Sequence, residues 1–198
     1  SYDRFIFSNA FWGAHGWLEF YVTSSGVLTL KEMDANAANV SHIFSANDQI
    51  LTSTWTHVAA VKENTTIRIY INGLLAASGT SAVRTAYINS INIGVDWGIY
   101  DPHLPYMKKI WHGYIDEFRI LVGVATFTTD FNPPNVPYTK NDSAYTALLL
   151  HFEDNTFADD SDNNIQLTVE NDILRYSNFG KYDKSAYFNG NLSYLQYQ

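Results

Sequence analysis

The chain has 198 residues and a net charge of -8, with 12 Lys and Arg against 20 Asp and Glu. This acidic balance, without a cluster of basic residues, excludes the phosphate-contacting surface of a nucleic-acid-binding protein. The absence of cysteine excludes disulfides, and no apolar run reaches the roughly 20 residues of a membrane span, so we expect no nucleic-acid partner and no membrane insertion.

The composition favours a single all-β domain. Helix signals are almost absent, and the 14 Tyr, 12 Phe and 5 Trp are residue types that suit pleated surfaces. A chain of this length can bury one sizeable core, as β-sandwiches of similar size do. Because it begins at Ser1 and not at Met, we expect the chain to be a piece of a longer protein.

The first predicted elements form a hairpin. Residues 17–22 and 27–30 are strand-like and flank the turn-forming residues 23–26, which end in Gly26. Residues 49–52 are then predicted to lead into the next strand region, which begins at Trp55.

Residues 55–79 predict three consecutive antiparallel strands. The pattern predicts that Val58, Ala60 and the isoleucines of residues 67–71 face inward. They alternate with side chains that are expected to face outward, including Tyr70. This period of two is typical of a sheet with one buried face. Asn72-Gly73 predicts a tight hairpin turn, and residues 62–65 a looser one before it.

Further strands are predicted at residues 88–94 and 113–121, on either side of a long irregular segment at residues 96–111. The proline-rich residues 132–137 predict an extended crossing that cannot join a central strand. A linker between two domains is an alternative interpretation of that segment.

From these patterns we predict a shared hydrophobic core. Its expected members are Val58, Ile67, Ile69, Ile71, Ile91, Ile93, Ile115, Phe118, Ile120, Leu149 and Phe188.

Several ordered motifs resemble a known family. They are WTHVAAV at residues 55–61, IRIYING at 67–73, NIG at 92–94 and GYIDEFRI at 113–120. Together they resemble the laminin G-like branch of the concanavalin A-like lectin and glucanase superfamily, over residues 17–138. GVATFTTDFNPP at residues 123–134 is similar to versions found in phage tail, virion and bacterial surface proteins. The resemblance implies an all-β, two-sheet antiparallel β-sandwich of the jelly-roll type.

The last third of the chain resembles the strands that usually open this family's fold, so the resemblance implies a permuted strand order. We expect residues 1–198 to form a single sandwich in which residues 143–198 supply those strands. The alternative is that residues 1–140 are one repeat and residues 143–198 the start of a second. Since so short a C-terminal segment cannot bury a good core alone, we expect it to pack against the rest.

The resemblance also implies a structural calcium site. In related sandwiches, the Asp of an Ile-Asp-x-Val-Arg strand coordinates calcium with a carboxylate from the first strand and with backbone carbonyls. Here the corresponding ligands are Asp116, Glu153 and Asp154, beside His151. Calcium needs six to eight oxygens, which such a set can supply. The alternative is that Asp116 caps a turn or pairs with an arginine.

Residues 159–164, with three aspartates in four positions, resemble an acidic calcium loop. They lack the glycine and the distal Glu of an EF-hand. Asp, Asn and Ser in short clusters are good turn formers, and we interpret this segment as a solvated turn.

The long segment at residues 96–111 is the predicted ligand-binding loop, because long loops on rigid scaffolds often carry binding. Aromatic rings offer a platform for the apolar face of a sugar, while carboxylate and imidazole groups bind its hydroxyls. The candidate ligand-binding residues are Trp97, Tyr100, Asp101, His103, Tyr106 and Trp111 in this loop, with Trp12 from another predicted end loop beside the same rim. The alternative is that these rings form a lid or contact a neighbouring subunit.

Enzyme activity has little support in the sequence. The Glu-x-Asp-x-x-Glu pattern of laminarinase-type members is absent, and no predicted strand presents two acids on one face, as glycoside hydrolysis requires. We therefore predict a non-catalytic carbohydrate-binding or adhesion module of a virion or cell-surface protein, whose partner is a glycan or cell-surface polysaccharide. The alternative is a structural decoration or oligomerisation domain that contacts other copies of itself or virion proteins.

Overall fold

The protein is all-β, as the sequence predicts. The computed structural model describes residues 3–9, 17–34, 40–81, 90–96, 109–142, 144–153, 157–171, 173–175, 179–191 and 193–197. Within these residues the only helical element is one 3-10 turn at Lys140–Asp142. All of the predicted core residues lie within the described parts of the chain.

The described strands are spread along the chain from Arg4 to Tyr197. The first eight are β1 Arg4–Ser8, β2 Trp17–Val22, β3 Leu28–Met33, β4 Val40–Phe44, β5 Val58–Glu63, β6 Thr66–Ile71, β7 Leu74–Thr80 and β8 Ile91–Ile93. The others are β9 His112–Ile115, β10 Phe118–Leu121, β11 Thr146–Leu150, β12 Thr168–Glu170, β13 Leu174–Arg175, β14 Ala186–Asn189 and β15 Tyr194–Tyr197.

Within the described parts of the chain, the strands pair antiparallel in one large sheet and three smaller ones. The large sheet has seven strands in the order β12-β15-β8-β1-β2-β3-β4. The smaller sheets are β5-β6-β7, β13-β14-β9 and β10-β11. A single hydrophobic cluster joins side chains from all of these sheets, including Phe7, Ile69, Ile115 and Leu148. The large and small sheets therefore share one core.

Most of the predicted core residues are buried. The buried ones are Ile67, Ile69, Ile71, Ile91, Ile93, Ile115, Leu149 and Phe188. Val58, Phe118 and Ile120 are only partly buried and pack against the edge of the core. The hydrophobic alternation thus identified the inward face of the central strands correctly, and it was less exact on strands near a sheet edge.

The three strands predicted at residues 55–79 are confirmed as β5, β6 and β7. Asn72 and Gly73 have φ angles of 49° and 81°, the positive values that a tight hairpin turn requires. The turn before them is tighter than predicted, because Glu63 pairs with Thr66 and only two residues connect the strands. Residues 49–52 form no strand, whereas β4, which was not predicted, pairs with β3.

Two orientation predictions on β5 and β6 were wrong. Ala60, expected to face inward, is exposed on β5, which lies at the edge of its sheet. Tyr70, expected to face outward, is fully buried, because the ring of Phe131 packs edge-on against it at 5.4 Å. A later part of the chain therefore covers the outer face of this sheet.

Residues 127–138, here called the outer strap, form that cover. The Phe131 N–H donates to the Gly73 carbonyl at 2.9 Å, and the Leu75 N–H donates to Asp130 Oδ1 at 2.8 Å. A Cβ at position 73 would lie 1.9 Å from the Phe131 carbonyl oxygen. Gly73 is thus required both by the turn and by the close passage of the strap. The proline-rich part of the strap lies outside the strands, as predicted.

The strand predicted at residues 113–121 is interrupted at its centre. β9 ends at Ile115 and β10 begins at Phe118. Between them, Glu117 has a φ of 51°, which is uncommon for a residue with a side chain. The interruption turns Asp116 and Glu117 away from the regular pleat, and both make tertiary hydrogen bonds that are described below.

The last third of the chain pairs with the first part. β11 pairs with β10, β14 with β9, and β15 with β8. Leu148, Phe188 and Leu195 from these strands are fully buried in the shared cluster. That residues 1–198 fold as one domain stays a prediction, which a truncation would test.

Candidate functional site

Most of the predicted ligand-binding loop lies outside the described residues. This applies to Trp97, Tyr100, Asp101, His103 and Tyr106, and Trp12 of the other predicted loop also lies outside them. Trp111 is described: it is half-buried and packs against the hydrophobic core. Its indole Nε1 is buried without a hydrogen-bond partner. The role of these residues in ligand binding stays a prediction.

The base of this loop is well defined. Val95 and Ile110 form an antiparallel bridge. The Asp96 N–H donates to the Lys109 carbonyl at 3.1 Å, and the Trp111 N–H donates to the Gly94 carbonyl at 2.8 Å. The residues on either side of the segment 97–108 are therefore hydrogen-bonded to each other.

Charged groups lie at this loop base, on the face of the large sheet opposite the core. Glu19 on β2 is nearly buried, and its carboxylate lies 3.7 Å from the Lys31 ammonium. Burial raises the pKa of Glu19, and the negative charge of Asp96 raises it further. The Lys109 ammonium lies 5.1 Å from the centre of the Phe5 ring. The loop thus begins beside a group of opposed charges.

The two described members of the predicted calcium site hold a turn. Asp116 Oδ1 accepts the Glu117 N–H at 2.9 Å, and Oδ2 accepts those of Lys181 and Tyr182 at 2.6 and 3.4 Å. The two carboxylate oxygens of Glu153 accept the Lys184 N–H at 2.9 and 3.1 Å. Both carboxylates therefore bind the backbone of residues 181–184.

This set of contacts does not by itself fit calcium, which takes six to eight oxygen ligands. The turn directs N–H donors at Asp116, and the Lys184 ammonium donates to the Glu153 carbonyl at 2.9 Å. Burial raises the pKa of Asp116 to about 6. Among the described residues, no group of three or more His, Asp or Glu is arranged to hold a metal ion. Asp154 lies outside them, and calcium binding stays a prediction.

Glu117, which the sequence analysis passed over, connects three segments. Its Oε1 lies 2.7 Å from His151 Nδ1, and its Oε2 accepts the Tyr138 N–H at 2.8 Å. The neighbouring Arg119 does not pair with Asp116; its guanidinium lies 3.7 Å from the centre of the Tyr138 ring. Glu117 thus ties the outer strap to β11 at the break between β9 and β10.

The acidic segment at residues 159–164 is a turn organised by Asp159. This nearly buried carboxylate accepts the N–H groups of Leu149, Ser161 and Ile165 and the Ser161 hydroxyl, at 2.7 to 2.9 Å. Asp162 is exposed and pairs with Lys140 at 3.1 Å. These contacts agree with the predicted turn, but the turn is solvated only in part, because Asp159 and Ser161 are buried.

The structure brings together a surface group that the sequence did not predict. Five rings lie next to one another on the outer side of the β13-β14-β9 sheet, and we call them the aromatic strip. They are Trp55, His112, Tyr114, Phe179 and Tyr187.

The contacts of the aromatic strip are continuous. The Trp55 and Tyr114 ring centroids lie 6.5 Å apart, those of Tyr114 and Tyr187 5.0 Å, and those of Tyr187 and His112 6.0 Å. Phe179 stacks on Tyr114 at 5.3 Å, with an interplanar angle of 13°. His112 Nε2 and the Tyr187 hydroxyl lie 3.0 Å apart. The strip is therefore an ordered aromatic surface with polar atoms at one end.

The strands place the strip on the solvent side. Tyr114 lies opposite Tyr187 in the β9–β14 pair, while Ile115 and Phe188, which follow them, point into the core. Trp55 is 38% exposed and Phe179 54% exposed. The alternation on β9 and β14 could have indicated two of these outward rings, but no local pattern links them to Trp55 or Phe179.

The comparison with known families agrees with this architecture. Residues 1–126 match the family model described as the concanavalin A-like lectin/glucanases superfamily. The chain belongs to this superfamily. The part of the chain that matches the concanavalin A-like lectin/glucanases superfamily includes β1 to β10, Trp55, His112, Tyr114 and Asp116. Phe179 and Tyr187 of the strip, and Glu153, lie beyond it.

One solved structure that matches part of this chain is an S-layer domain-containing protein (residues 221–444) from Clostridium thermocellum ATCC 27405. It is 21% identical to this member of the superfamily, with a TM-score of 0.29 over 66% of this chain and 59% of that one. The chain thus spans less than two thirds of that structure. Comparison with curated proteins found no match. In the described residues, no helix is long and apolar enough to cross a membrane.

Proposed function

We propose that this chain is a non-catalytic carbohydrate-binding or adhesion module, and that the aromatic strip is its saccharide platform. The observation that supports this is the continuous group of contacting rings in which Trp55, Phe179 and His112 are exposed and Tyr114 and Tyr187 are half-buried. Membership of a superfamily that includes lectins agrees with the proposal, although fold alone does not define function.

The chemistry of the strip suits a sugar. The C–H face of a pyranose packs on aromatic rings, which bury apolar area with little loss of conformational freedom. The Tyr187 hydroxyl and the His112 imidazole, 3.0 Å apart, can exchange hydrogen bonds with sugar hydroxyls. Because such a surface desolvates few groups completely, the expected affinity is weak for a single sugar.

The position of the described carboxylates supports a non-catalytic role. Glycoside hydrolysis uses two carboxyl groups on either side of the scissile bond. The strip consists of four aromatic rings and one imidazole. Asp116 and Glu153 direct their carboxylates at the backbone of residues 181–184, so they hold structure in place beside the strip. Among the described residues, the strip supplies rings and an imidazole but no pair of carboxyl groups, which supports binding without hydrolysis.

We place this module on a virion or a cell surface, where a saccharide-binding β-sandwich would meet its ligand. The support is the resemblance of residues 123–134 to segments of phage tail and bacterial surface proteins. A net charge of -8 also suits an exposed, soluble surface module better than one that binds polyanions.

The test is binding of the intact chain and of strip variants to a glycan array and to cell-surface polysaccharide. Trp55→Ala and Phe179→Ala are expected to lose binding with little change in Tm, because both rings are exposed. Phe44→Ala removes a ring that is 60% exposed on the edge strand β4 and is the matched control, which is expected to bind normally.

Two results would contradict this assignment. If the strip variants bind normally while Trp97→Ala and Tyr100→Ala lose binding, the aromatic loop of residues 96–111 is the saccharide site. If none of the glycans is bound by the intact chain, the carbohydrate-binding proposal is wrong.

A structural decoration or oligomerisation role is the second candidate. It is favoured by exposed apolar side chains away from the strip, since such groups often mark contacts between proteins. Leu74 and Leu75, at the start of β7, are 63% and 47% exposed. Light scattering of the intact chain and of a Leu74→Ser, Leu75→Ser variant tests this role, which predicts an oligomer that the variant loses.

A further inference from the structure

We propose that Asn189-Gly190 is a site of spontaneous covalent modification, at which the backbone closes on the Asn189 side chain and the carboxamide is lost as ammonia. The inference concerns the turn after β14 and does not depend on the proposed function. It is drawn from a comparison of the two Asn-Gly sequences of this chain, at residues 72–73 and 189–190. The structure favours the reaction at the second and opposes it at the first.

The reaction uses only the chain itself and water. The Gly190 backbone nitrogen attacks the Asn189 Cγ, and the new bond closes a succinimide ring. The bond from Cγ to Nδ2 breaks, and that nitrogen leaves as ammonia with the proton that the Gly190 nitrogen gives up. Water then opens the ring at either carbonyl and leaves an aspartyl or isoaspartyl residue at position 189. Glycine suits this step because it has no Cβ to crowd the attacking nitrogen.

The Asn189 side chain is folded over the peptide that must attack it. Its Oδ1 accepts the Asn191 N–H at 2.7 Å and the Ser193 hydroxyl at 3.0 Å. A bond from Asn Oδ1 to the N–H two residues later is an Asx turn, which places the Asn189 Cγ next to the Gly190 peptide. The two donors also stabilise the negative charge that Oδ1 gains when Cγ is attacked, as the donors of an oxyanion hole do.

A proton acceptor lies beside Gly190. A Cβ at position 190 would lie 3.0 Å from the His112 Cβ and 3.5 Å from its Nδ1, so the imidazole packs against this glycine. Its Nε2 lies 3.0 Å from the Tyr187 hydroxyl. In the tautomer whose Nε2–H donates to that hydroxyl, Nδ1 can accept a proton. His112 is thereby placed to act as the general base for the Gly190 N–H.

Asn72-Gly73 has different contacts. The Asn72 Oδ1 accepts the His57 N–H at 3.0 Å, and the Asn72 N–H donates to the His57 carbonyl at 2.8 Å. The side chain is thus held toward the residue before β5. Gly73 is buried, and its carbonyl accepts the Phe131 N–H at 2.9 Å. Ring closure here would break contacts to the neighbouring strand and to the outer strap, so this site is protected.

Modification at position 189 would change the polar end of the aromatic strip. Asn189 lies opposite His112 in the β9–β14 pair, so loss of the amide places a negative charge beside this imidazole. The isoaspartyl product also adds a carbon atom to the backbone of the turn that leads from β14 to β15.

The test compares the two sites within the same molecule. The intact chain is incubated at neutral pH, folded and in denaturant, and peptide mass spectrometry with an isoaspartyl methyltransferase assay follows each site over time. In denaturant, similar rates are expected, because each Asn follows a bulky apolar residue and precedes Gly. In the folded protein, Asn189 is expected to react about tenfold or more faster than Asn72, since only its side chain is oriented for attack. Equal folded rates, or a folded Asn189 slower than the unfolded one, overturn the proposal.

Two variants test the promoting groups, with the rate at Asn72 as the internal control. His112→Phe keeps an exposed ring and removes the base, and it is expected to slow the reaction of Asn189 by about tenfold or more. Ser193→Ala removes one donor to Oδ1 and is expected to slow it by about 2- to 10-fold, the effect of one hydrogen bond. Because Ser193 is buried, a thermal melt checks that this variant is folded. If neither variant slows Asn189, the turn does not promote the reaction and the proposal is wrong.

Discussion

Tyr114 lies directly opposite Tyr187 across the β9–β14 pair, and their ring centroids are 5.0 Å apart. The first residue belongs to the part of the chain that matches the superfamily and the second lies beyond it. The candidate site is thus formed only when the end of the chain pairs with its middle. Pairing, core packing and charge burial in this arrangement lead to the following predictions.

The central core residue Ile69 is fully buried. Ile69→Ala is expected to reduce the free energy of unfolding by about 2 to 5 kcal/mol, because a cavity remains where the side chain was. Leu74→Ala is the control on the neighbouring strand, since that side chain is 63% exposed, and it should change stability by less than about 0.5 kcal/mol. Chemical denaturation measures both. A fully stable Ile69→Ala protein would contradict the packing of β6.

Glu32 is a buried carboxylate that depends on Lys62. Its Oε1 lies 3.0 Å from the Lys62 ammonium, and its Oε2 accepts the Ser81 hydroxyl at 2.5 Å. Lys62→Met is expected to cost about 3 to 5 kcal/mol, because it leaves a buried charge without its counter-ion. Lys140→Met breaks the exposed pair with Asp162 and should cost at most about 1 kcal/mol. If chemical denaturation shows that Lys62→Met and Lys140→Met lose equal stability, the interpretation of Glu32 as a buried charge is wrong.

Removal of residues 143–198 is expected to leave an aggregation-prone protein. The deletion takes away β11, β14 and β15, and thereby exposes the edges of their partners β10, β9 and β8. It also removes Leu148, Phe188 and Leu195 from the core. Light scattering and thermal melting check this result. A monomeric truncation that melts as cooperatively as the intact chain would favour two separate domains.

If calcium binds at Asp116, Glu153 and Asp154, a chelator is expected to lower the Tm. A ligand present at about 100 times its Kd stabilises the folded state by about 2.7 kcal/mol. Asp116→Ala should then melt at the same temperature with and without chelator. If the melt of the intact chain does not respond to chelator, Asp116 acts only through its hydrogen bonds to the backbone of residues 181 and 182.

The pKa values of His151 and His57 are expected to lie on opposite sides of the ordinary histidine value. The hydrogen bond to Glu117 raises the pKa of His151, whereas burial lowers the pKa of His57. His151 therefore contributes stability that is complete below about pH 6.5, the pKa of an unperturbed histidine, and is lost as the pH rises through its folded pKa. His57 has the opposite effect on stability. Because its folded pKa is lowered, the unfolded protein binds a proton at this histidine more readily, and stability decreases as the pH falls below about 6.5.

NMR titration of the imidazole signals measures both histidine pKa values directly. In Glu117→Gln the pKa of His151 should fall toward its ordinary value, while that of His57 stays low. If the pKa of His151 is unchanged in this variant, Glu117 is not the partner that raises it.

Local patterns predicted much of this fold correctly. The alternation at residues 67–71 and the Asn72-Gly73 turn depend on neighbours in sequence, so β6, β7 and their buried isoleucines could be predicted directly. The superfamily assignment followed from the order of such motifs. A turn that needs positive φ and a strand with one apolar face are both determined by residues that are close together in sequence.

The errors share a different cause. Tyr70 is buried because Phe131 of the outer strap packs on it. The strand predicted through Asp116 is broken where Glu117 takes a φ of 51° and binds both His151 and Tyr138. In each case a contact distant in sequence overrides the local preference, since its burial and hydrogen bonds exceed the small energies that set strand propensity.

The all-β class, the central hairpins and the inward face of the core strands could be predicted from residue order, because these depend on side-chain period and turn chemistry. Which outward rings become neighbours depends on tertiary contacts. Trp55, Tyr114, Phe179 and Tyr187 come from four separate segments, and they meet because β14 pairs with β9 beside the start of β5. Strand pairing is a long-range choice made by the whole core, and no local pattern encodes it.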